Sequence, residues 1–250
     1  MFKGKAALVT GAGSGIGAMA AQRLAAEGAS VAVVDINRDG AEAITARIKA
    51  AGGTAIALSA NIASAEENER AFAAAEEAFG GLDMAFLNAG VLQSYVPFDQ
   101  VTEEVFDRVM SVNLKGAFFG MQQAQKRLRP GGAAVLTASA ASFLGFADAA
   151  AYAASKHGVL GLVKSAAREF ARRDLRVNAI CPGAVNTPLV GAAPSLDLQP
   201  VETLQPPEYR GRLDPQLIAE VALFLLGPAS SGINGQAQLV DAALLSAFPD

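Results

Sequence analysis

Tyr152 and Lys156 stand four residues apart in the stretch Tyr152-Ala-Ala-Ser-Lys156-His157-Gly158. On a helix that spacing puts both side chains on one face, with Cβ atoms about 5–6 Å apart. A phenol titrates near pH ~10 and is a poor proton donor or acceptor at neutrality; a nearby ammonium favours the phenolate and lowers that value. Such a pair can pass a proton to or from a substrate oxygen. The same spacing also occurs on ordinary solvated helix faces, so the pair gains meaning only from its surroundings. His157, the only histidine, points about 100° around the helix from Lys156 and away from Tyr152, and is read as non-catalytic. No cluster of His, Cys or carboxylates has metal-ligand spacing, and no catalytic metal is expected.

A second chemical feature lies near the N-terminus, in Thr10-Gly11-Ala12-Gly13-Ser14-Gly15-Ile16-Gly17. Glycines there permit a tight turn and let backbone N–H groups approach a pyrophosphate, which would sit at the positive end of the following helix. Two registers fit equally: Gly13, Gly15 and Ala18, or Gly11, Gly15 and Gly17. Asp35 follows at the distance expected of an acid that binds the adenosine ribose hydroxyls and repels a 2′-phosphate. Arg38 is the nearest base that could accept such a phosphate, and NAD is favoured over NADP. As a purely structural residue, Asp35 would be a helix N-cap or a surface turn.

The elements that must carry these groups are legible as short apolar runs alternating with helical patterns. Strands are expected at residues 6–10, 30–35, 54–60, 82–88, 133–138, 175–181 and 236–241, most of them continuously apolar as in parallel sheets covered on both faces. Helices are expected at residues 16–28, 38–51, 65–79 and 103–128, and around Tyr152. The third places Phe72, Ala75 and Phe79 on one side and Glu66, Glu69, Glu76 and Glu77 towards solvent. This rhythm predicts one doubly wound α/β domain over residues 1–250, with a parallel sheet of about seven strands and helices on both faces. Residues 187–213, holding Pro188, Pro194, Pro200, Pro206 and Pro207, form the longest weakly patterned stretch and are read as a substrate lid.

Bulk properties narrow the function. The chain is 52% hydrophobic and 18% charged, a globular rather than disordered composition. Its net charge of −4 offers no footprint for nucleic acid or an anionic membrane. No apolar run approaches the roughly 20 residues of a membrane span. The lone cysteine, Cys181, precludes an intramolecular disulfide and reads as a small buried residue before Pro182. The first residues run directly into a strand and leave no room for a signal peptide, so a soluble cytoplasmic protein is expected.

The glycine loop, the acid and the downstream Tyr-x-x-x-Lys together resemble the short-chain dehydrogenase/reductase family. Further matches extend over almost the whole chain: Asn88-Ala89-Gly90 after the fourth strand, Asn113 in Ser111-Val112-Asn113-Leu114, Ser139 thirteen residues before Tyr152, and Pro182-Gly183 after the sixth strand. The resemblance implies a Rossmann-type fold and an NAD-dependent oxidoreductase that interconverts a secondary alcohol and a ketone. It implies that Tyr152 is the general acid/base, that Lys156 lowers its pKa and binds the nicotinamide ribose, and that Ser139 holds the substrate oxygen. Asn113 would hold a water linking Lys156 to solvent. Cofactor contacts are expected from Gly11, Ser14, Gly15, Ile16, Gly17, Asp35, Asn61, Ile62, Asn88, Gly90, Tyr152, Lys156, Pro182, Gly183, Val185 and Thr187, the last at the nicotinamide carboxamide. Family members are commonly tetramers. The apolar character of residues 103–128 and of the Tyr152 helix also suggests burial against another subunit, so a homotetramer is expected.

The chain departs from the family's pattern in two places. Asn61-Ile62 stands where the family commonly has Asp-Val, and Ala242-Ala243 replaces two glycines after Val240-Asp241. The enoyl-reductase branch spaces its Tyr and Lys more widely, and Gly158 two positions beyond Lys156 argues against it. The extended epimerase-like relatives carry a C-terminal domain for which 250 residues leave no space.

The substrate pocket is expected outside the carboxyl ends of the strands, walled by Leu92, Gln93, Ser142 and Phe146. Lid residues Leu189, Val190, Leu196, Leu198, Leu204 and Tyr209 are available for apolar contact, which points to a neutral, largely apolar secondary alcohol or ketone as the small-molecule substrate. Arg210 and Arg212 could instead meet an anionic tail such as an acyl carrier, giving a 3-oxoacyl-type reductase. A catalytically silent NAD-binding scaffold or regulator would use the same fold, although the tyrosine would then be superfluous. Dehydration or epimerisation on this scaffold is a weaker rival.

Overall fold

The computed structural model describes residues 1–205 and 211–245. Among them are seven strands: β1 (Ala6–Thr10), β2 (Ser30–Asp35), β3 (Thr54–Ser59), β4 (Leu82–Leu87), β5 (Leu128–Thr137), β6 (Arg176–Pro182) and β7 (Ala237–Val240). They form one sheet in the order β3-β2-β1-β4-β5-β6-β7, every neighbouring pair parallel. The helices are α1 (Gly15–Ala26), α2 (Arg38–Ala50), α3 (Ala65–Phe79), α4 (Glu103–Met110), α5 (Gly116–Arg127), α6 (Ala150–Ala171) and α7 (Pro215–Leu226).

The continuous apolar strands are explained by the two cores they serve. Side chains alternate across a strand, and Ala7 and Val9 of β1 join Met19 and Leu24 of α1, Ile44 of α2 and Ile218 of α7 on one face. Ala6 and Leu8 join Phe72 of α3, Met121 of α5 and Val163 of α6 on the other. With both faces covered, both sets of positions in the strand are mainly apolar.

Two boundaries show how local chemistry sets an element's length. Ser64 caps α3 by accepting the Glu67 N–H at 3.3 Å, and Gly80 ends it at φ +70°. Residues 65–79 are therefore helical as the pattern predicts. β5 starts five residues earlier than predicted, because Leu128 pairs with Leu82 before the register shifts to Met84 and Ala133. The close backbone approach at this irregularity requires glycine, since a Cβ on Gly132 would lie 2.6 Å from the Asp83 carbonyl oxygen.

The single helix expected over residues 103–128 is interrupted. A π turn, Ser111–Lys115, separates α4 from α5, with the Gly116 N–H donating to the Ser111 carbonyl five residues back. Such a turn holds one residue more than the α geometry accommodates, and it recurs at functional sites. It carries Asn113.

Candidate active site

The sheet reverses its winding between β1 and β4, and a crevice opens beyond their carboxyl ends, where a doubly wound sheet binds ligands. Here it is a cleft of about 1200 Å³ running from Asp35 to Leu189.

At one end the glycine loop joins β1 to α1. Gly11 and Gly15 take left-handed φ of +63° and +52°. A Cβ on Gly11 would stand 2.7 Å from the Ala89 Cα, and one on Gly17 would strike the Gly11 carbonyl and come within 2.7 Å of Asn88 Nδ2. Of the two registers read from the sequence, Gly11, Gly15 and Gly17 hold the two left-handed positions and the two where a Cβ would strike backbone, while a Cβ on Gly13 would press on the Asp35 carboxylate at 3.0 Å. Gly17 faces the loop's own backbone rather than the cleft. Ser14 precedes α1 without committing its hydroxyl to a cap, and the first-turn N–H groups of the helix have no intrahelical acceptor. A side-chain-free cradle at a helix N-terminus fits a pyrophosphate.

The acid is held by this loop. Asp35 accepts the Gly13 N–H on Oδ2 at 2.8 Å and the Asn37 N–H on Oδ1 at 2.9 Å, while Asn37, not Asp35, caps α2. Arg38 is turned to Glu42 at 2.8 Å and does not line the cleft. Asn61 and Ile62 do line it, although Asn61 Oδ1 already accepts the Ala63 N–H at 3.1 Å. Asn88 ties three strand ends together: its amide donates to the Thr10 and Gly11 carbonyls at 3.2 and 3.3 Å and accepts the Thr137 hydroxyl at 3.0 Å.

The other end of the cleft collects Ser139, Tyr152 and Lys156. Lys156 is 3% exposed and donates to the Thr137 carbonyl at 2.7 Å. Its Nζ lies 5.7 Å from the centroid of the Tyr152 ring, and desolvation pushes the ammonium down to about 8. The Tyr152 phenol is raised, not lowered as the sequence led one to expect. Burial dominates, and the Ser139 side chain beside it only partly offsets that effect.

Asn113 is buried and doubly tied to the Gly90 loop. Oδ1 accepts the Val91 N–H at 2.8 Å, and Nδ2 donates to the Val91 carbonyl at 2.9 Å and to Ser155 Oγ at 3.1 Å. Both of its amide protons are therefore committed to protein, and any water it holds must meet another atom. A Cβ on Gly90 would stand 3.3 Å from Asn113 Oδ1 and 3.4 Å from Lys156 Nζ, so these three residues share one corner. Pro182, Gly183, Val185 and Thr187 line the same stretch of cleft, and Thr187 lies against Gly15, 3.2 Å from where its Cβ would be.

Leu92, Gln93 and Phe146 line the cleft as expected, but Ser142 does not. Ser142 is buried behind Ser139, accepting the Ser139 N–H at 3.3 Å and donating to the Lys156 carbonyl at 2.8 Å. It braces the Ser139 backbone on α6. Gln93 is a wall only by its stem, because its amide is engaged by backbone groups of the segment that starts α6. Sequence reasoning missed Tyr95, whose ring meets Phe146 edge-on at 5.8 Å, as Phe146 meets Tyr152 at 6.3 Å. A rare tyrosine in the loop after β4 was the available signal.

The stretch read as a lid is flanked by a bridge between Val185 and Leu213 and is tied down between them. Gln22 donates to the Leu196 carbonyl at 3.0 Å, and Gln216 clasps Gln199 at both its N–H and carbonyl. Thr187, Pro188, Leu189, Val190, Gly191 and Arg212 face the cleft. Leu196 packs on the core instead, and Leu198 and Leu204 are not in the lining. Tyr209 and Arg210 lie outside the described residues. Among the described lining residues only Asp35, Lys156 and Arg212 carry charge. Among the described residues no group of three or more His, Cys, Asp or Glu is placed to hold a metal ion, and no helix is long and apolar enough to cross a membrane.

The chain is similar to known proteins in sequence and fold. A family model described as Enoyl-(Acyl carrier protein) reductase matches residues 11–243. Cyclohexanol dehydrogenase from Acinetobacter sp. (strain SE19) is 39% identical over 98% of this chain and 96% of its own. The crystal structure of levodione reductase superposes with a TM-score of 0.89 at 33% identity, covering 99% of this chain and 100% of that one. A short chain dehydrogenase from Burkholderia cenocepacia J2315, solved in complex with NADP, superposes with a TM-score of 0.85 at 33% identity over 96% and 98% of the two chains.

Proposed function

This chain belongs to the short-chain dehydrogenase/reductase family, and we propose that it is an NAD-dependent enzyme acting on small cyclic secondary alcohols or their ketones, with Tyr152 as general acid/base. It is an oxidoreductase of CH–OH groups, and a nicotinamide nucleotide, when bound, supplies or accepts the hydride. The observation that carries the mechanistic reading is the convergence of Ser139, Tyr152 and Lys156 on one end of a cleft whose other end is a glycine cradle closed by Asp35.

Tyr152 takes the alcohol proton in oxidation and returns it in reduction. Ser139 donates a hydrogen bond to the substrate oxygen, and its hydroxyl opposes the effect of burial on the phenol. Lys156 adds positive charge beside the phenol and is the residue to meet the nicotinamide ribose. Asn113 ties the π turn to the Val91 backbone, holding the loop that passes beside Lys156. Gly11, Ser14, Gly15 and Ile16 hold the pyrophosphate, Asn61 and Ile62 the adenine, and Thr187 the carboxamide.

NAD is preferred because the Asp35 carboxylate faces the adenosine end of the cleft while Arg38 is paired away with Glu42. A 2′-phosphate would meet an anion, with no compensating cation there among the described lining residues. Cyclic substrates are favoured by the flat walls of Tyr95 and Phe146 and the apolar Leu92, Leu189 and Val190, and the cyclohexanol dehydrogenase relative agrees in name. The family model's description names an enoyl reductase, but the Tyr152–Lys156 spacing and the relatives' names favour alcohol chemistry. We take the protein to be one cytoplasmic domain that assembles as a homotetramer. Exposed Phe106 and Phe118 on α4 and α5 support the assembly, and light scattering would report a mass of four 25.5 kDa chains.

A panel of cyclic and open-chain secondary alcohols and ketones with NAD(H) and NADP(H), followed by nicotinamide absorbance, tests the proposal. Turnover of cyclic members with NAD(H) is the expected result. Tight NAD binding without turnover on any of them would favour the silent scaffold, and a preference for acyl-carrier substrates would favour the 3-oxoacyl reading.

A further inference from the structure

The helix that carries Tyr152 begins without a cap of its own. The residue before α6, Ala149, offers no side chain to the first-turn N–H groups, which have no intrahelical acceptor. One of these N–H groups is that of Tyr152 itself, and it donates to Oε1 of Gln93 at 3.1 Å. Gln93 comes from the loop after β4, fifty-nine residues away in sequence, and is 3% exposed. The other end of the same amide donates to the Asp148 carbonyl at 3.4 Å, which also accepts the Val96 N–H at 3.0 Å. Asp148 sits in the left-handed region at φ +59°, a conformation that a residue with a Cβ holds only when its surroundings impose it.

We propose that Gln93 is a positioning residue for Tyr152, setting the height and rotation of the first turn of α6 and thereby the reach of the phenol. This rests on the reading of Tyr152 as general acid/base. The chemistry of an amide is what the place demands. The Tyr152 N–H needs an acceptor, and the Asp148 carbonyl, already met by the Val96 N–H, takes a second donor on its free lone pair, which fixes the amide's orientation. The β4 loop thus grips the start of α6 from both sides of Ala149, and Tyr95 and Phe146 continue the contact onto the Tyr152 ring.

The test compares Gln93→Met, which keeps the volume and loses both hydrogen bonds, with Gln93→Glu, which keeps the acceptor and loses the donor. Steady-state kinetics on a turned-over cyclic alcohol, NADH affinity by fluorescence and melting temperature are measured for both, with Tyr152→Phe alongside. The expected result is a fall of about 10- to 100-fold in kcat for Gln93→Met, as a misplaced reacting group gives, with KM and NADH affinity little changed. Gln93→Glu should lie between it and the parent. An unchanged kcat with a raised KM would make Gln93 a substrate ligand and overturn the proposal. So would equal losses of kcat in the two variants that track their melting temperatures. If Gln93→Met does not fold, a Gln93→Glu enzyme with the parent's kcat overturns it. Undiminished turnover in Tyr152→Phe would instead remove the acid/base reading itself, whatever Gln93 does.

Discussion

The Tyr152 phenol and the Lys156 ammonium are shifted by the same cause in opposite senses. Burial penalises the charged form of each, so the phenol is raised and the ammonium falls to about 8. Reduction needs a protonated phenol with a cation beside it. Its kcat/KM should therefore be level up to about pH 8 and fall above, as Lys156 loses its proton. A profile level through pH ~10 would separate Lys156 from the rate. Tyr152→Phe should lose about 10²- to 10⁴-fold in kcat while binding NADH normally, the scale of a missing general acid. Cofactor choice is also decided by single residues. Ile36, 70% exposed beside Asp35, is where a cation would meet a 2′-phosphate. Ile36→Arg combined with Asp35→Ser should raise kcat/KM with NADP relative to NAD, and an unchanged ratio would show that discrimination lies elsewhere.

At the scale of elements, the strands were legible in the sequence because a parallel sheet covered on both faces writes itself as continuous apolar runs. The ends of α3 were legible because Ser64 and Gly80 act locally. The π turn was not, since one extra residue in a helix leaves hydrophobic periodicity nearly intact over the short stretches on either side. Tyr152, Lys156 and Ser139 were singled out through the family resemblance, and the fold brings all three to the cleft, whereas the contacts of Gln93 and Ser142 left no trace in the sequence. Their partners are backbone groups brought near only by the fold, and no side-chain pattern records them. The Ala242-Ala243 departure proves to be a turn still built for glycine, with φ of +52° and +65°. Left-handed alanine costs roughly 1–2 kcal/mol, part of which glycine gives back as unfolded-state entropy. Each of Ala242→Gly and Ala243→Gly should thus stabilise the fold by about 0.5–1 kcal/mol. Urea denaturation measures this, and a destabilised variant would mean that the methyl group packs productively.

At the scale of the whole molecule, the buried Lys156 is a cost to the fold. In the unfolded chain it keeps its ordinary affinity for a proton, and in the folded one it titrates near 8. The penalty for its charge is complete below that value and fades as pH rises towards the unfolded pKa. Lys156→Met should therefore be inactive yet more stable at neutral pH, on the order of 2 kcal/mol after its lost hydrogen bond to Thr137 is counted. The gain should shrink when denaturation is repeated at about pH 9.5. A variant less stable than the parent at both values would show that the ammonium is better solvated than its burial implies. The lid carries a different kind of consequence. Because Gln22 and Gln216 fasten it at Leu196 and Gln199, the strap is two short spans rather than one long one. The span after Thr187, which brings Leu189 and Val190 to the cleft, is thereby anchored separately from the chain beyond Gln199, whose Arg212 reaches the same cleft from the other side of the fastening.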